Sequence, residues 1–356
     1  MDFLVAKDDL HRCRFHEAEP PELRDGQAQL RVASFGLTAN NITYAKLGEA
    51  MSYWSFFPAE DGWGRVPVWG FAEVAASRQP ELETGTRVYG YLPPSSEFVV
   101  EATRVDARGF VDGSPHRARL PAAYNSYART DADPVYDAAH EDHQMLLRPL
   151  FFTSYLIDDL LEDSGMFGAG TVVVSSASSK TASALAFLLS RRDGVEVIGL
   201  TSSRSGDFAR GLGVYDHVVS YDEVSELPSE RSLYVDMAGD AAVRDAVHGH
   251  YGEQLVHSAV VGATHHDRMG GVPDELPGAR PTFFFAPDRV SKRSADWGRE
   301  GLEQRLADAW RPYLEWTETW LEVLHGEGPD SLEGAYLDLL DGRVDPAKAH
   351  VLSLAR

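Results

Sequence analysis

Residues 171–182 read TVVVSSASSKTA, and a second apolar run, Val195–Leu200, follows the helical stretch Thr181–Arg192. The β-branched run Thr171–Val174 predicts a buried strand, and the small residues behind it predict a tight turn into the helix. Strand, turn, helix and strand in about thirty residues make a βαβ unit, whose right-handed crossover builds a parallel sheet. Upstream, Arg148–Asp163 has apolar residues at helical spacing and stops at Ser164-Gly165. Downstream, strands are expected at His217–Ser220, Leu233–Asp236, Gln254–Ser258 and Thr282–Phe285, with a helix over Ala241–His250. Together these form a doubly wound α/β domain of about 130 residues.

The texture differs on both sides of that domain. Short extended runs at Ala28–Phe35, Val66–Ala76, Arg87–Tyr91 and Glu97–Val100, separated by Gly and Pro, predict a small barrel or sandwich. Residues 107–145 show no sustained period and are expected to form a long loop or an insertion. Glu300–His325 predicts a long helical region with a kink or break at Pro312, on which Trp310, Trp316 and Trp320 pack. A last strand, His350–Leu354, is expected to return to the first domain. The expected domains are therefore 1–145, with the irregular segment 107–145; 146–290; and a C-terminal segment, 291–356.

The chain has 356 residues, 43% apolar and 25% charged, which disfavours disordered and collagen-like architectures. Its 33 Lys and Arg against 55 Asp and Glu leave a net charge of −22, a field that repels phosphate backbones and anionic membranes. No nucleic-acid or membrane partner is expected. Cys13 is the single cysteine, so an intramolecular disulfide framework and a cysteine-rich metal site are excluded and a cytoplasmic location is expected. Neither a signal peptide nor a spanning segment is expected at the start of the chain.

In doubly wound sheets the first strand–helix turn offers backbone N–H groups to a pyrophosphate. Here that turn is Ser175, Ser176, Ala177, Ser178, Ser179, Lys180, Thr181 and Ala182, without the glycines of G-x-G-x-x-G. Small residues still permit close approach of a phosphate, and Lys180 adds a positive charge; a serine-rich helix cap with no ligand is the alternative. The end of the second strand discriminates further. NAD enzymes place Asp or Glu there, whereas Thr201, Ser202, Ser203 and Arg204 offer small polar groups and a guanidinium suited to a 2′-phosphate. NADP(H) is the expected cofactor. A P-loop is excluded because Val174 and Ser179 occupy its glycine positions, and no Tyr-x-x-x-Lys pair is present.

Several stretches carry a family resemblance. Gly26–Gly36 resembles the first barrel strand of the medium-chain dehydrogenase/reductase superfamily, Gly85–Val88 its G-D-R-V turn, and Thr153-Ser154-Tyr155 its T-A-Y helix. Thr171–Ala182 stands where its V-x-V-x-G-A-x-G-x-V-G loop would be, and Ala209–Tyr221 resembles its A-x-x-L-G-A-D-x-V-x-x-Y segment. Within the zinc-free quinone and enoyl reductase branch, the whole chain resembles the DUF2855 group, through S-S-A-S-S-K-T-A, Val235–Gly239 (VDMAG), Val261–His265 (VGATH) and Phe284–Pro287 (FFAP). The resemblance implies a GroES-like β-barrel domain plus a Rossmann-like, doubly wound parallel-sheet domain. It implies cofactor contacts from Thr153, Ser176 to Thr181, Thr201 to Arg204, Tyr221, Ala238, Gly239, Gly262, Ala263 and Thr264, and a homodimer through the sheet edge. Gly70-Phe71-Ala72-Glu73 stands where zinc-bearing relatives carry G-H-E, so no metal is expected; neither His140-Glu141-Asp142-His143 nor His265-His266-Asp267 has a recognised zinc spacing.

Without zinc, a hydroxyl, an amide or a backbone N–H must polarise the substrate. Asn40–Gly48 resembles the N-x-x-D-x-Y-x-x-x-G segment of quinone reductases, with Ile42 in place of the Asp. Tyr44 and Asn41 are the candidate polarising donors, and Tyr53 the candidate acid; barrel packing with a wet hydroxyl is the alternative reading of both tyrosines. Tyr53–Phe57, Trp63 and Phe283–Phe285 suggest an apolar substrate pocket, or else core or a dimer surface. Tyr124, Asn125 and Tyr127 are expected to close over the site. The function expected is NADPH-dependent, zinc-free reduction of a carbonyl or activated C=C bond in a largely apolar small molecule. A non-catalytic NADP(H)-binding sensor or scaffold is the alternative from another class, and a lyase or isomerase the weaker third.

Overall fold

The computed structural model describes residues 1–17, 22–261 and 276–354. Two units emerge, Met1–Arg148 with Leu321–Arg356, and Pro149–Trp320.

The first unit opens with β1 (Asp2–Ala6) and β2 (Cys13–His16), then β3 (Gln27–Leu37), α1 (Ala39–Lys46) and β4 (Trp63–Gly64). β1 lies between β2 and β4 in a three-stranded antiparallel sheet. β5 (Val68–Ser77), β6 (Arg87–Leu92), β7 (Glu97–Asp106), β8 (Gly109–Asp112) and β9 (Ser126–Arg129) follow. Pairing runs β3-β5-β6-β9-β8-β7 and returns to β3, which closes a six-stranded barrel. β3 makes closure possible. Alternation buries Ala28, Leu30 and Val32, and two register shifts against β5 bend the strand, so that Gln27–Arg31 pair with β7 while Phe35–Leu37 continue past the ring.

The barrel corrects one expectation. Residues 107–145 are not a loop or insertion laid on a finished barrel: they supply β8 and β9, two of its strands. Both strands are four residues long and are specified by pairing to distant strands, a signal that has no local period. α2 (Glu141–Asp163) begins in this unit, continues into the second and absorbs Pro149.

The second unit carries β10 (Thr171–Ser175), α3 (Lys180–Leu189), β11 (Glu196–Thr201), α4 (Gly206–Gly211), β12 (His217–Ser220), β13 (Ser232–Asp236), α5 (Ala241–Tyr251), β14 (Leu255–Val260) and β15 (Pro281–Phe283). The sheet order is β12-β11-β10-β13-β14-β15, parallel throughout. Strand order reverses between β10 and β13, the switch point at which such sheets take ligands. All five residues of β10 and of β13 are buried, as central parallel strands require.

α6 (Ala286–Thr317) is broken at Gly298 rather than at Pro312. Gly298 adopts φ 73° and ψ 165°, which L-residues rarely reach, whereas around Pro312 the buried Trp310 and Tyr313 hold the helix together. Trp310 packs on Phe151 and Trp316 on Phe187, with ring centroids 5.2 and 5.1 Å apart. Nor does helix extend to His325. The chain returns to the first unit as β16 (Glu322–Glu327), α7 (Gly328–Leu340) and β17 (Lys348–Ser353); β17 pairs with Phe35–Leu37 of β3, and β16 lies parallel outside it. No helix among the described residues is long and apolar enough to cross a membrane.

Candidate functional site

In the first unit the site begins at the N-terminus of α1. The Thr38 N–H donates to Asn41 Oδ1 at 2.8 Å, and Asn41 Nδ2 donates to the Pro67 carbonyl at 2.9 Å. Both ends of the buried Asn41 amide are therefore committed to fixing α1. Tyr44, one turn on, meets Tyr53 with ring centroids 4.5 Å apart, and its hydroxyl accepts from Asn40 Nδ2 at 2.7 Å. The fold thus brings Tyr44 and Tyr53 together, with Asn40 rather than Asn41 on the phenol. Tyr53 is held by its neighbour Trp54, which is sandwiched between two glycines. A Cβ on Gly48 would lie 2.0 Å from the Trp54 ring and one on Gly64 2.3 Å from it, so both positions exclude any side chain.

Barrel closure adds aromatic residues from three further elements. Tyr91 of β6 lies 5.6 Å from Tyr44; Trp69 of β5 lies 5.1 Å from Tyr91; and Tyr124 lies 4.8 Å from Tyr91 and 6.3 Å from Tyr53, all between ring centroids. Burial pushes the Tyr44, Tyr53, Tyr91 and Tyr124 phenols above their ordinary range, so all four stay protonated at neutral pH and can donate. Tyr91 Oη is buried without a hydrogen-bond partner among the described residues. Beneath this cluster Arg117, 1% exposed, pairs with the buried Asp112 at 3.2 Å and donates to the Phe56 carbonyl at 3.2 Å.

Tyr127 and Asn125 do not close over anything. Tyr127 Oη donates to the Tyr91 carbonyl at 2.8 Å and Asn125 Nδ2 to the Arg117 carbonyl at 3.3 Å, and both side chains are buried in the wall of the barrel. Trp54, Phe56 and Phe57 are core, and Trp63 stacks under Arg14.

In the second unit, the turn after β10 is set by hydroxyls. Ser176 takes φ 57°, left-handed backbone at the position where the family loop has its first glycine, and its N–H donates to Tyr221 Oη at 3.1 Å. Ala177 N–H bonds to the Leu200 carbonyl, its own carbonyl accepts from Tyr215, and Ser179 caps α3 by accepting from Ala182 N–H at 3.2 Å. The N–H groups of Ser178 and Thr181 make no hydrogen bond among the described residues, and they stand at the positive end of α3. Lys180 is the first residue of that helix. Thr201 Oγ1 donates to Ser178 Oγ at 3.4 Å, so the two adjacent strand ends meet. Beyond it Ser202, Ser203 and Arg204 are exposed, and Arg204 carries no ion pair or hydrogen bond among the described residues.

Ala238 and Gly239 close the turn after β13 through backbone N–H groups that donate to Ser175 Oγ and Asp236 Oδ1 at 3.0 and 2.9 Å. Thr153 lies on α2, where its hydroxyl bonds back to the Pro149 carbonyl at 3.1 Å. Gly262, Ala263 and Thr264, like His265, His266 and Asp267, lie outside the described residues.

A sequence model of the family described as "Protein of unknown function (DUF2855)" matches residues 35–345. The chain belongs to the DUF2855 family. A search of the curated proteins found no match. Among solved structures, CurA from Vibrio vulnificus in complex with NADPH is 14% identical, with a TM-score of 0.61 over 97% of this chain and 94% of that one. The YhdH oxidoreductase from Salmonella enterica in complex with NADP is 15% identical, with a TM-score of 0.56 over 99% of each chain. The CurK enoyl reductase is 13% identical, with a TM-score of 0.51 over 99% of this chain and 98% of that one. At these identities the likeness is one of fold. This DUF2855 protein thus has a GroES-like barrel and a Rossmann-like parallel sheet, a fold it shares with these structures.

Three further residues, Ser175, Asp236 and Ser154, organise the DUF2855 site, although the motifs that contain them assign them no contact. Ser175 Oγ donates to Asp236 Oδ1 at 3.0 Å and accepts from Met237 and Ala238 N–H, both at 3.0 Å, which ties β10 to β13 at the switch point. Ser154 Oγ donates to the Thr181 carbonyl at 2.7 Å, fixing α2 to the start of α3. A serine at a strand end or inside a helix has no spacing signature, and the only available signal is the position of Ser154 in the T-S-Y triplet. Among the described residues, no group of three or more His, Cys, Asp or Glu side chains comes together as a metal site.

Proposed function

We propose that this chain is an NADPH-dependent oxidoreductase which reduces a carbonyl or an activated C=C bond of a largely apolar small molecule without a catalytic metal. The observation that carries the reading is the paired chemistry at the carboxyl ends of β10 and β11. N–H groups of Ser178 and Thr181, open among the described residues at a helix N-terminus, suit a pyrophosphate, and the exposed Arg204, unpaired among the described residues and beside Ser202 and Ser203, suits a 2′-phosphate. The residues present therefore fit NADP. Ser176 to Thr181 and Thr201 to Arg204 form the core of the proposed cofactor set, with Thr153, Tyr221, Ala238, Gly239 and positions 262–264 completing it. Two solved structures of the same fold carry NADPH or NADP, which supports the reading.

When bound, NADPH supplies a hydride. The first unit supplies neutral donors: Tyr44, oriented by Asn40, and Tyr53, with Asn41 fixing the helix that carries Tyr44. Their task is to hydrogen-bond the oxygen on which negative charge develops, and the cluster is built of phenols, an indole N–H and an amide rather than a metal-ligand set. The aromatic surroundings favour an apolar substrate. A single cysteine fits a cytoplasmic location.

The test is NADPH oxidation by the purified chain against aldehydes, enones and quinones. Turnover supports the reductase; nucleotide binding without turnover on any of them favours the sensor or scaffold reading, which the serines at the glycine positions of the loop would suit. Arg204→Ala is expected to weaken NADPH binding by roughly 10- to 100-fold through loss of a charged hydrogen bond and to leave NADH binding unchanged. Equal loss for both nucleotides would remove the 2′-phosphate assignment.

We also propose a homodimer through β15, the edge strand of the parallel sheet. Phe283 and Phe285 are 67% and 49% exposed there, an apolar edge that a second copy would cover. Phe283→Asp is expected to shift the sedimentation coefficient from dimer to monomer; a wild-type chain that sediments as a monomer contradicts this.

A further inference from the structure

The turn after β10 lacks the glycines of the family pattern, yet the backbone at its head is fully committed. At Ser176, whose φ of 57° is left-handed, the N–H donates to Tyr221 Oη at 3.1 Å and the carbonyl accepts from Ser179 N–H at 2.7 Å. At Ala177, the N–H donates to the Leu200 carbonyl and the carbonyl accepts from Tyr215 Oη, both at 2.9 Å. The N–H and carbonyl of both residues are thus satisfied within the second unit, in two cases by a tyrosine hydroxyl. The N–H groups of Ser178 and Thr181 stay open among the described residues.

The two tyrosines flank β12. Tyr215 precedes it, and Tyr221 follows it at the start of the 3-10 turn Tyr221–Glu226. Each is anchored by its neighbour. The Asp216 N–H and carboxylate bond the Val197 carbonyl and N–H of β11 at 2.9 and 2.8 Å, and Ser220 caps the turn in a reciprocal box with Glu223. β11 makes room for the Tyr215 ring at Gly199, where a Cβ would lie 2.8 Å from Tyr215 Cδ1 and 2.8 Å from the Ala177 Cβ, so a side chain there would push ring and loop apart. Tyr215 also falls outside the family pattern: between Gly213 and Asp216 the chain has Val214 and Tyr215, where A-x-x-L-G-A-D has a single residue.

We propose that Tyr215 and Tyr221 are positioning residues for the cofactor pyrophosphate, two hydroxyl clamps that set the serine loop as glycines set G-x-G-x-x-G. The assignment rests on the NADP reading given above and names what makes a loop without glycines competent for it. Glycine takes a positive φ freely, whereas serine does so only where its surroundings hold it, and Tyr221 holds Ser176 there. Tyr215 engages the Ala177 carbonyl, the acceptor four residues before Thr181 that a regular helix would pair with the Thr181 N–H, and so leaves that N–H to a ligand.

The test uses the full chain, the ring-preserving variants Tyr215→Phe and Tyr221→Phe, and calorimetric titration with NADPH and NADH. Each variant is expected to lose about five- to tenfold in affinity for both nucleotides alike, the share of one neutral hydrogen bond that orders the loop. A second readout needs no cofactor: hydrogen exchange in the ligand-free variants is expected to quicken at residues 175–182 and to stay unchanged in β13 and β14. The third is rescue, in which Ser176→Gly added to Tyr221→Phe returns most of the lost affinity, because glycine needs no clamp at that φ. Affinities within about twofold of the unmutated chain in both variants, a loss confined to NADPH, exchange that quickens throughout the second unit, or a glycine that does not rescue overturns the clamp and leaves NADP binding by the unmutated chain standing. Absence of binding of either nucleotide by the unmutated chain overturns the NADP reading, and the positioning role with it.

Discussion

Arg117→Met is expected to destabilise the first unit by about 3–5 kcal/mol, the usual cost of removing one partner from a buried ion pair. Arg117 and Asp112 are 1% and 4% exposed, and the carboxylate left behind would keep only the Ser114 hydroxyl and the N–H groups of Ser114 and Glu101. The guanidinium also lies 4.4 Å above the Phe57 ring and donates to the Phe56 carbonyl, so its loss frees the loop that carries Tyr53. Urea unfolding of Arg117→Met, Asp112→Asn and the double variant checks this. The double variant is expected to recover part of the loss, because it removes the stranded charge. A single-variant loss below about 1 kcal/mol would mean that the pair is solvated in a way its burial denies.

Ser175→Ala is expected to cost about 1.5–3 kcal/mol, since it removes the hydroxyl that donates to the buried Asp236 carboxylate and leaves that oxygen the Gly239 N–H. Asp236 is fully buried, so desolvation holds its carboxyl above the usual range even with the Ser175 bond in place. The pH dependence follows in sign. In the window between the ordinary carboxylate range and the raised folded value, the folded state binds more protons than the unfolded, and stability falls as pH rises. Removing the serine raises the folded value further and widens that window. The penalty of Ser175→Ala is therefore expected to grow with pH, measured as the difference in unfolding midpoint from the unmutated chain across that range. A constant difference would show that Asp236 does not feel the hydroxyl.

The βαβ unit is legible in the sequence because Thr171–Val174 and Val195–Leu200 are continuous apolar runs separated by a helix, and a parallel sheet buries both faces of such strands. His217–Ser220 is likewise marked by turn residues on each side. The closing strands of the barrel are not legible. Gly109–Asp112 and Ser126–Arg129 are strands because β7 and β6 pair with them, and no four-residue run of that composition announces it. The tail shows the same limit: Pro312 is the stronger local breaker, but packing around Trp310 and Tyr313 overrides it and the chain bends at Gly298. In the site, Tyr44 and Tyr53 can be found from one continuous segment. Trp69, Tyr91 and Tyr124 reach them from β5, β6 and the segment after β8, an arrangement that only barrel closure creates. On the nucleotide side the exposed Ser202, Ser203 and Arg204 are readable because they end a clear strand, whereas Ser175 and Ser154 act through bonds to residues far away in sequence.

The second unit is proposed to take NADP through the turns after β10 and β11. Parallel calorimetric titration of the unmutated chain with NADPH and NADH tests it most directly. One-site binding of NADPH is expected, at least about tenfold tighter than that of NADH, the share supplied by the 2′-phosphate on Arg204 and its neighbouring serines. Equal affinities, or no heat of binding with either nucleotide, would contradict it.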